Sequence, residues 1–372
     1  MLTIFLSNRN TPCLGRHKFR TRHTRPGTQA QARHMAQMPK RHFFLGTKTI
    51  THTNTRYNNV FKRYRQILAS LLTLVPVAGQ AQYDVSFSHY FDMEPSFNAA
   101  SVGKDTKLNV TAAYAMDFAG FEHNPRTMYV GADMPFRMGR TLHGAGIQFM
   151  NDKIGLFAHQ RLALQYALRT RLFGGQLGIG LQAGLISETF DGTKLDVDDS
   201  NDPALSTSKL DGNTIDLGVG LYYTRRSWYA GVSVQHANAP LVNLGERNEL
   251  QIDRTYYATA GCTIRLRNPF VTIKPSMLAR TDGTAWRADV GGRVVYTNER
   301  RMMYGGVSYS PTNSVTFLVG GRVRGIMLGY SYEMYTSGVN PGNGSHELHI
   351  GFQTDINLAK KGRNLHKSVR TL

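Results

Sequence analysis

The chain has 372 residues, 41% of them hydrophobic and 10% aromatic, with a net charge of +19. That length suits one large β domain or two average ones, and the hydrophobic content excludes a disordered chain. The charge does not mark a nucleic-acid binder, because residues 1–82 hold 14 Lys/Arg and no acid, whereas the rest carries 30 basic and 25 acidic residues.

Residues 1–59 are acid-free and show no hydrophobic period. They are read as a non-native or leader extension, disordered, with translation starting near Val60. An Arg-rich organellar transit peptide is the lesser alternative. Residues 60–81 then read as a signal peptide. Lys62, Arg63 and Arg65 precede the apolar run Ile67–Ala78, and Gly79-Gln80-Ala81 supplies small residues for cleavage after Ala81. The run is shorter than the ~20 residues of a membrane-spanning helix. Pro76 and Gly79 argue against a core helix. No Cys follows the run to carry a lipid anchor. Of Cys13 and Cys262, only the second survives cleavage, so no internal disulfide is expected.

From Leu108 onward the period is two. Ile215, Leu217, Val219, Leu221 and Tyr223 alternate with Asp216, Gly218, Gly220 and Tyr222. Trp228, Ala230, Val232 and Val234 alternate with Tyr229, Gly231, Ser233 and Gln235, and Leu162, Leu164, Tyr166 and Leu168 oppose Arg161, Gln165 and Arg169. A soluble sandwich also alternates, but its core cannot hold full charges in strand centres. A membrane barrel can, because its lumen is polar and its grease faces lipid. Aromatics near strand ends (Tyr114, Trp228, Trp286, Tyr296, Tyr332) suit the interfacial girdles of such a barrel.

The alternating segments are 108–116, 127–134, 143–150, 160–172, 177–187, 214–224, 228–235, 255–266, 270–280, 286–297, 302–310, 315–324, 326–334 and 346–355. They predict an all-β, transmembrane outer-membrane barrel of about fourteen antiparallel strands over 108–358. The long connections 117–126, 188–213, 236–254 and 335–345 all follow odd-numbered strands, whereas the tight ones follow even-numbered strands. That parity predicts short periplasmic turns and long extracellular loops. The loops 188–213 and 236–254 are the expected outer contact surface.

The inward faces of late strands carry Lys274, Arg280, Arg287, Asp289, Arg293, Arg322, Arg324 and Glu333. They read either as an ion network propping the wall or as the lining of a passage. The segment 82–107 precedes the first strand and is periplasmic or luminal. Its aromatics Tyr83, Phe87, Tyr90, Phe91 and Phe97 suggest a plug folded into the lumen, with an ordinary lead-in as the alternative. The tail 359–372 is basic and expected to be periplasmic.

Chemistry is sparse. The glycines of "GIGLQAG" (178–184) and "GVGLYY" (218–223) lie inside strands with no following helix, so they are strand glycines rather than phosphate loops. Asp196, Asp198, Ser200 and Asp202 of the loop 196–203 approach a calcium pattern but lack its turn glycine and closing Glu. His346 and His349 fall on opposite faces of a strand and cannot share a metal. No cofactor, metal or catalytic residue is assigned, and no enzyme is expected.

Two stretches go beyond a generic barrel: "YDVSFSHYFDMEPSFNAASVG" (83–103) and "GYSYEMYTSGVNPGNGSHELHIGF" (329–352). Together they resemble the PorP/SprF family of type IX secretion system outer-membrane proteins of the Bacteroidota. Phe87, Ser88 and Tyr90, then Asn98, Ala100 and Gly103, match its opening motif, and Gly344, Ser345, His346 and Glu347 match its closing one. The stretches 231–240 and 254–262 fall where the family has comparable text. The sequence departs at His89, where Gln or Asn is commoner, and at Ala99, where the family has Pro. The lost Pro removes one fixed φ.

The resemblance implies a non-enzymatic role at the cell outer membrane in protein secretion or in gliding motility coupled to it. Implied partners are other type IX components and the C-terminal domains of secreted cargo or adhesins, besides outer-membrane lipid and without nucleic acid. A passive diffusion or uptake porin is the rival reading.

Overall fold

The computed structural model describes residues 84–194, 209–245, 248–299, 301–311, 313–337 and 343–356. The leader, the signal segment, the acidic run 196–203 and the basic tail lie outside the described residues, and with them the calcium expectation.

Fourteen strands form the wall: β1 Lys107–Met116, β2 Arg126–Met138, β3 Thr141–Ile154, β4 Phe157–Leu172, β5 Gly175–Asp191, β6 Lys209–Arg225 and β7 Trp228–Gln235. They continue as β8 Thr255–Cys262 (resumed after Thr263 by Ile264–Arg265), β9 Val271–Thr281, β10 Trp286–Asn298, β11 Arg301–Ser310, β12 Ser314–Val323, β13 Ile326–Tyr335 and β14 Ser345–Asp355. Each pairs antiparallel with the next, and β1 closes on β14 in register from Lys107↔Asp355 to Met116↔His346. Closure leaves no sheet edge in the membrane, where an unpaired backbone group costs several kcal/mol. All fourteen strands expected from the alternation are present.

The alternation also sets the two faces. On β4, Leu164 is 63% exposed and Leu162 45%, while Arg161 and Arg169 on the other face fall to 4% and 3%. Leu217, Val219 and Leu221 of β6 point outward, and Asp216 is fully buried. In water this would be an inside-out protein; in a bilayer the outer surface is covered by lipid and the polar groups meet in the lumen. Tyr114, Trp228, Trp286 and Tyr296 are on the exposed outer face, with Tyr332 half-buried on the same side.

The wall is uneven in height, which the alternation does not announce. Both flanks of the expected loop 188–213 are strand: β5 and β6 stay paired up to Asp191↔Lys209, with Thr189 Oγ1 donating to Asp211 Oδ1 at 2.7 Å. Above Ile186 the outer face is polar, with Ser187, Thr189, Asp211 and Asn213 on it, so the two-residue pattern fades while the ladder continues. The loop 236–254 contains a small hairpin, Leu241–Leu244 paired with Asn248–Gln251. Its Val242 and Leu244, with Ile252, pack on Ile186 and, at the margin, Leu210 and Leu250. This apolar cap packs on the luminal side of the upper ends of β5 and β6.

Arg324 corrects the sequence reading. It is exposed rather than luminal, because β12 ends at Val323 and Arg324-Gly325 form a two-residue turn with φ of 53° and 89°. That positive-φ pair matches the twist of the flanking strands.

Candidate functional site

The lumen is occupied by the chain itself. Residues 84–106 run from the extracellular half of the barrel down to the start of β1, through the short 3-10 turns Glu94–Ser96 and Ala99–Ser101. Phe87, Tyr90, Phe91, Met93, Phe97, Ala99, Ala100 and Val102 are all buried. Backbone without a ladder must find partners elsewhere, and here the inward side chains of the wall supply them.

At the top, Asp84 accepts a hydrogen bond from Tyr257 Oη at 2.7 Å, and its carbonyl accepts from Arg280 Nη1 at 2.7 Å. His236, one residue beyond β7, bridges Asp84 (3.1 Å) and Asp216 (2.9 Å). Burial opposes a charge on this ring, but the Asp84 carboxylate and the Asp216 contact outweigh it and raise its pKa to about 9. The same arrangement holds the Asp84 carboxyl well below the usual carboxylate range, against its burial.

One step down, Glu347 of β14 receives Ser88 N–H (2.6 Å) and His89 N–H (3.1 Å), and lies 2.6 Å from His89 Nδ1. The opening and closing motifs, some 259 residues apart, are therefore one contact. His89 also stacks on His349, with ring centroids 5.2 Å apart. The remaining closing-motif residues divide by face. Gly344 O accepts from Ala119 N–H, Ser345 Oγ accepts from Phe118 N–H and lies 2.7 Å from Tyr335 Oη, and His346 turns outward to Tyr330 Oη at 2.7 Å. His346 and His349 are on opposite faces, and no cluster of metal-ligating side chains occurs among the described residues. Asp117, just past β1, is pushed up to about 7 by burial and by the Glu333 carboxylate.

The middle of the plug is bound by its backbone. Gln165 Nε2 donates to Pro95 O (2.6 Å), Arg161 Nη2 to Ser96 O (3.2 Å), and Ser233 Oγ and Gln235 Nε2 to Phe97 O (2.7 and 2.8 Å). Asn98 Oδ1 caps Ala100 N–H, and its amide donates to Leu221 O of β6. Asn98 thus starts the turn that a proline at position 99 would otherwise pre-set. Arg169 donates to both Ala100 O and Val102 O, and Gly103 N–H donates to Asp133 Oδ2 at 2.8 Å. Side chains fill the rest: Tyr90 Oη meets Ser276 Oγ at 2.9 Å, Phe97 stacks on Tyr257, and Glu94 is held by Lys104 and by Tyr222 Oη.

The strand glycines have a role that motif reasoning missed. A Cβ on Gly180 would overlap the backbone of Ala99-Ala100, one on Gly178 the Ala100 carbonyl, one on Gly220 the Asn98 side chain, and one on Gly144 the Val102 carbonyl. They form a bare groove in which plug backbone lies against wall backbone. The signal was available as glycines recurring at i, i+2 on the luminal face of neighbouring strands.

The luminal charges fall into two groups. Arg287 of β10 bonds Asp289 at 3.1 Å and Glu333 at 2.9 Å, and the Ser314 hydroxyl joins Glu333. Arg293 instead lies over the Phe91 ring, 3.1 Å from its centroid, and Arg322 reaches Met327 Sδ at 3.7 Å.

Fold and lumen define the class: an outer-membrane β-barrel stoppered by its own N-terminal segment. Residues 79–352 match the family described as type IX secretion system membrane protein PorP/SprF, and the chain belongs to that family. It is a membrane component of type IX secretion, placed in the outer membrane. No curated protein matches it. Solved barrels are similar in outline. The CymD monoaromatic hydrocarbon channel has 10% identity and a TM-score of 0.44, with 74% of this chain and 95% of that one covered. A FadL homologue of Pseudomonas aeruginosa gives 10%, 0.40, 68% and 90%, and the Pseudomonas putida toluene transporter TodX gives 8%, 0.39, 67% and 88%.

Proposed function

We propose that this barrel supports the export or surface attachment of cargo proteins or adhesins without itself being their conduit. The observation that carries the reading is the stopper: wall side chains bind the backbone at Pro95, Ser96, Phe97, Ala100, Val102 and Gly103, and an apolar hairpin packs on the luminal side of upper β5 and β6. A diffusion or uptake porin needs an open, wetted path, and a lumen built around a hydrogen-bonded segment opposes one. The extracellular rim then serves as the contact surface for a cargo's C-terminal domain, with other type IX components completing the assembly. The protein acts by binding rather than catalysis, and gliding would depend on it only through the adhesins it serves.

The test compares the secreted and surface proteins of a deletion strain with those of its parent. Loss of one or more large surface proteins is the expected result. Unchanged secretion together with reduced small-solute uptake would replace this reading with the porin. In planar bilayers, the purified barrel should conduct poorly and a variant lacking 84–98 should conduct freely; equal conductance would remove the stopper argument.

A further inference from the structure

The lumen is not filled to its periplasmic end. Beside the plug a cavity of about 500 Å3 is lined by Lys104, Lys107, Lys274, Arg293 and Arg322, together with Asp92, Glu94 and Asp105. Thr106, Lys107 and Gln353 also border it, and they stand where β1 begins and β14 ends, so it opens towards the periplasm. Lys104 is committed to Glu94. Lys107 lies 3.8 Å from Asp355, which leaves Lys274, Arg293 and Arg322 against Asp92 and Asp105. Among the described residues, no carboxylate lies within ion-pair distance of Lys274, Arg293 or Arg322. The Nε atoms of both arginines are buried without an acceptor. Buried guanidinium donors ordinarily have partners. Unpaired cations on a concave, low-dielectric wall repel one another and focus their field on whatever enters.

We propose that this vestibule is a carboxylate-binding site that takes the acidic side chains of a peptide segment entering from the periplasm. The interleaved Asp92 and Asp105 set the chemistry. A compact dianion would meet them as well as the cations, whereas single charges spaced along a chain can reach Lys274, Arg293 and Arg322 separately. The arginine forks favour a planar carboxylate acceptor. The residues following the described part of β14, 357–372, carry five more Lys/Arg and no acid, so the flanking sequence has the same sign. The site stands apart from the secretion reading, since it concerns the purified barrel and none of the plug's backbone contacts.

The experiment uses the full-length barrel in detergent and a fluorescein-labelled peptide of alternating Glu and Gly, read by anisotropy. Binding should weaken at least tenfold between 50 and 300 mM salt, and at least tenfold in the Lys274→Gln/Arg322→Gln double variant. Heat-shifted migration on gels shows that the variant barrel is folded. Excess succinate separates the two sources of carboxylate. Displacement only at concentrations far above the peptide's assigns the site to peptides, and displacement at comparable concentrations assigns it to free dicarboxylates. If the variant does not fold, acetylation of Lys274 in the unaltered protein serves instead, and the peptide should slow it severalfold. No saturable binding, equal binding by a Lys-Gly peptide, undiminished binding by the folded variant, or unprotected Lys274 would each overturn the proposal.

Discussion

Replacing Glu347 by Ala tests how the plug is held. The carboxylate is buried and receives two plug backbone N–H groups at 2.6 and 3.1 Å, with the His89 ring at 2.6 Å. Removing one partner of a buried charged pair costs about 3–5 kcal/mol, much of it for donors left unsatisfied. Ser88 lies at the barrel's upper end and is only half-buried, so water reaches part of the gap and the lower figure applies. A loss of about 3 kcal/mol raises the detached population of that segment roughly a hundredfold. The barrel itself should survive, because Glu347 contributes its backbone, not its side chain, to the β13–β14 and β14–β1 ladders. Amide hydrogen exchange at 88–91 should therefore accelerate about a hundredfold, with exchange in the β3–β6 ladders unchanged. Glu347→Gln, which keeps an acceptor oxygen, should fall between the two. Unaltered exchange at 88–91 in Glu347→Ala would refute the claim that this contact anchors the plug.

Gly180→Val should expel the 98–101 turn, since the new Cβ meets plug backbone rather than a side chain that could move; bilayer conductance should rise while heat-modifiable migration persists. The His236 bridge should respond to alkaline pH. Its folded pKa of about 9 lies above the ordinary 6.5, so its stabilisation is complete below about 6.5 and fades as pH rises through 9. Conductance should therefore increase between pH 8 and 10, and His236→Gln should flatten that rise. Val242→Asp places a charge in the fully buried centre of the outer cap, and should expose the 241–251 hairpin to external protease on intact cells, where the unaltered protein resists.

The order and number of strands were legible because the bilayer imposes one rule on every spanning residue. Grease at Leu162, Leu164 and Leu217 must face lipid, and charge at Arg161, Asp216 and Asp289 must face the lumen. The rule lapses where the outer face of a strand leaves the lipid and turns polar. That is why the upper ends of β5 and β6 (188–191 and 209–213) and the 241–251 hairpin read as loop, and why Arg324 reads as wall instead of turn. The motif residues were legible as text but not as contacts.

Period, charge and parity in the sequence alone decided that this chain makes a fourteen-stranded barrel and which face of each spanning strand lines its interior. Only the folded molecule decided what the interior holds. Closing the ring brings Glu347 to Ser88 and His89, sets Gly178, Gly180 and Gly220 against Asn98-Ala99-Ala100, and leaves Lys274, Arg293 and Arg322 unpaired around one periplasmic cavity. Those pairings depend on which strands become neighbours across the lumen, a distance that no local period encodes.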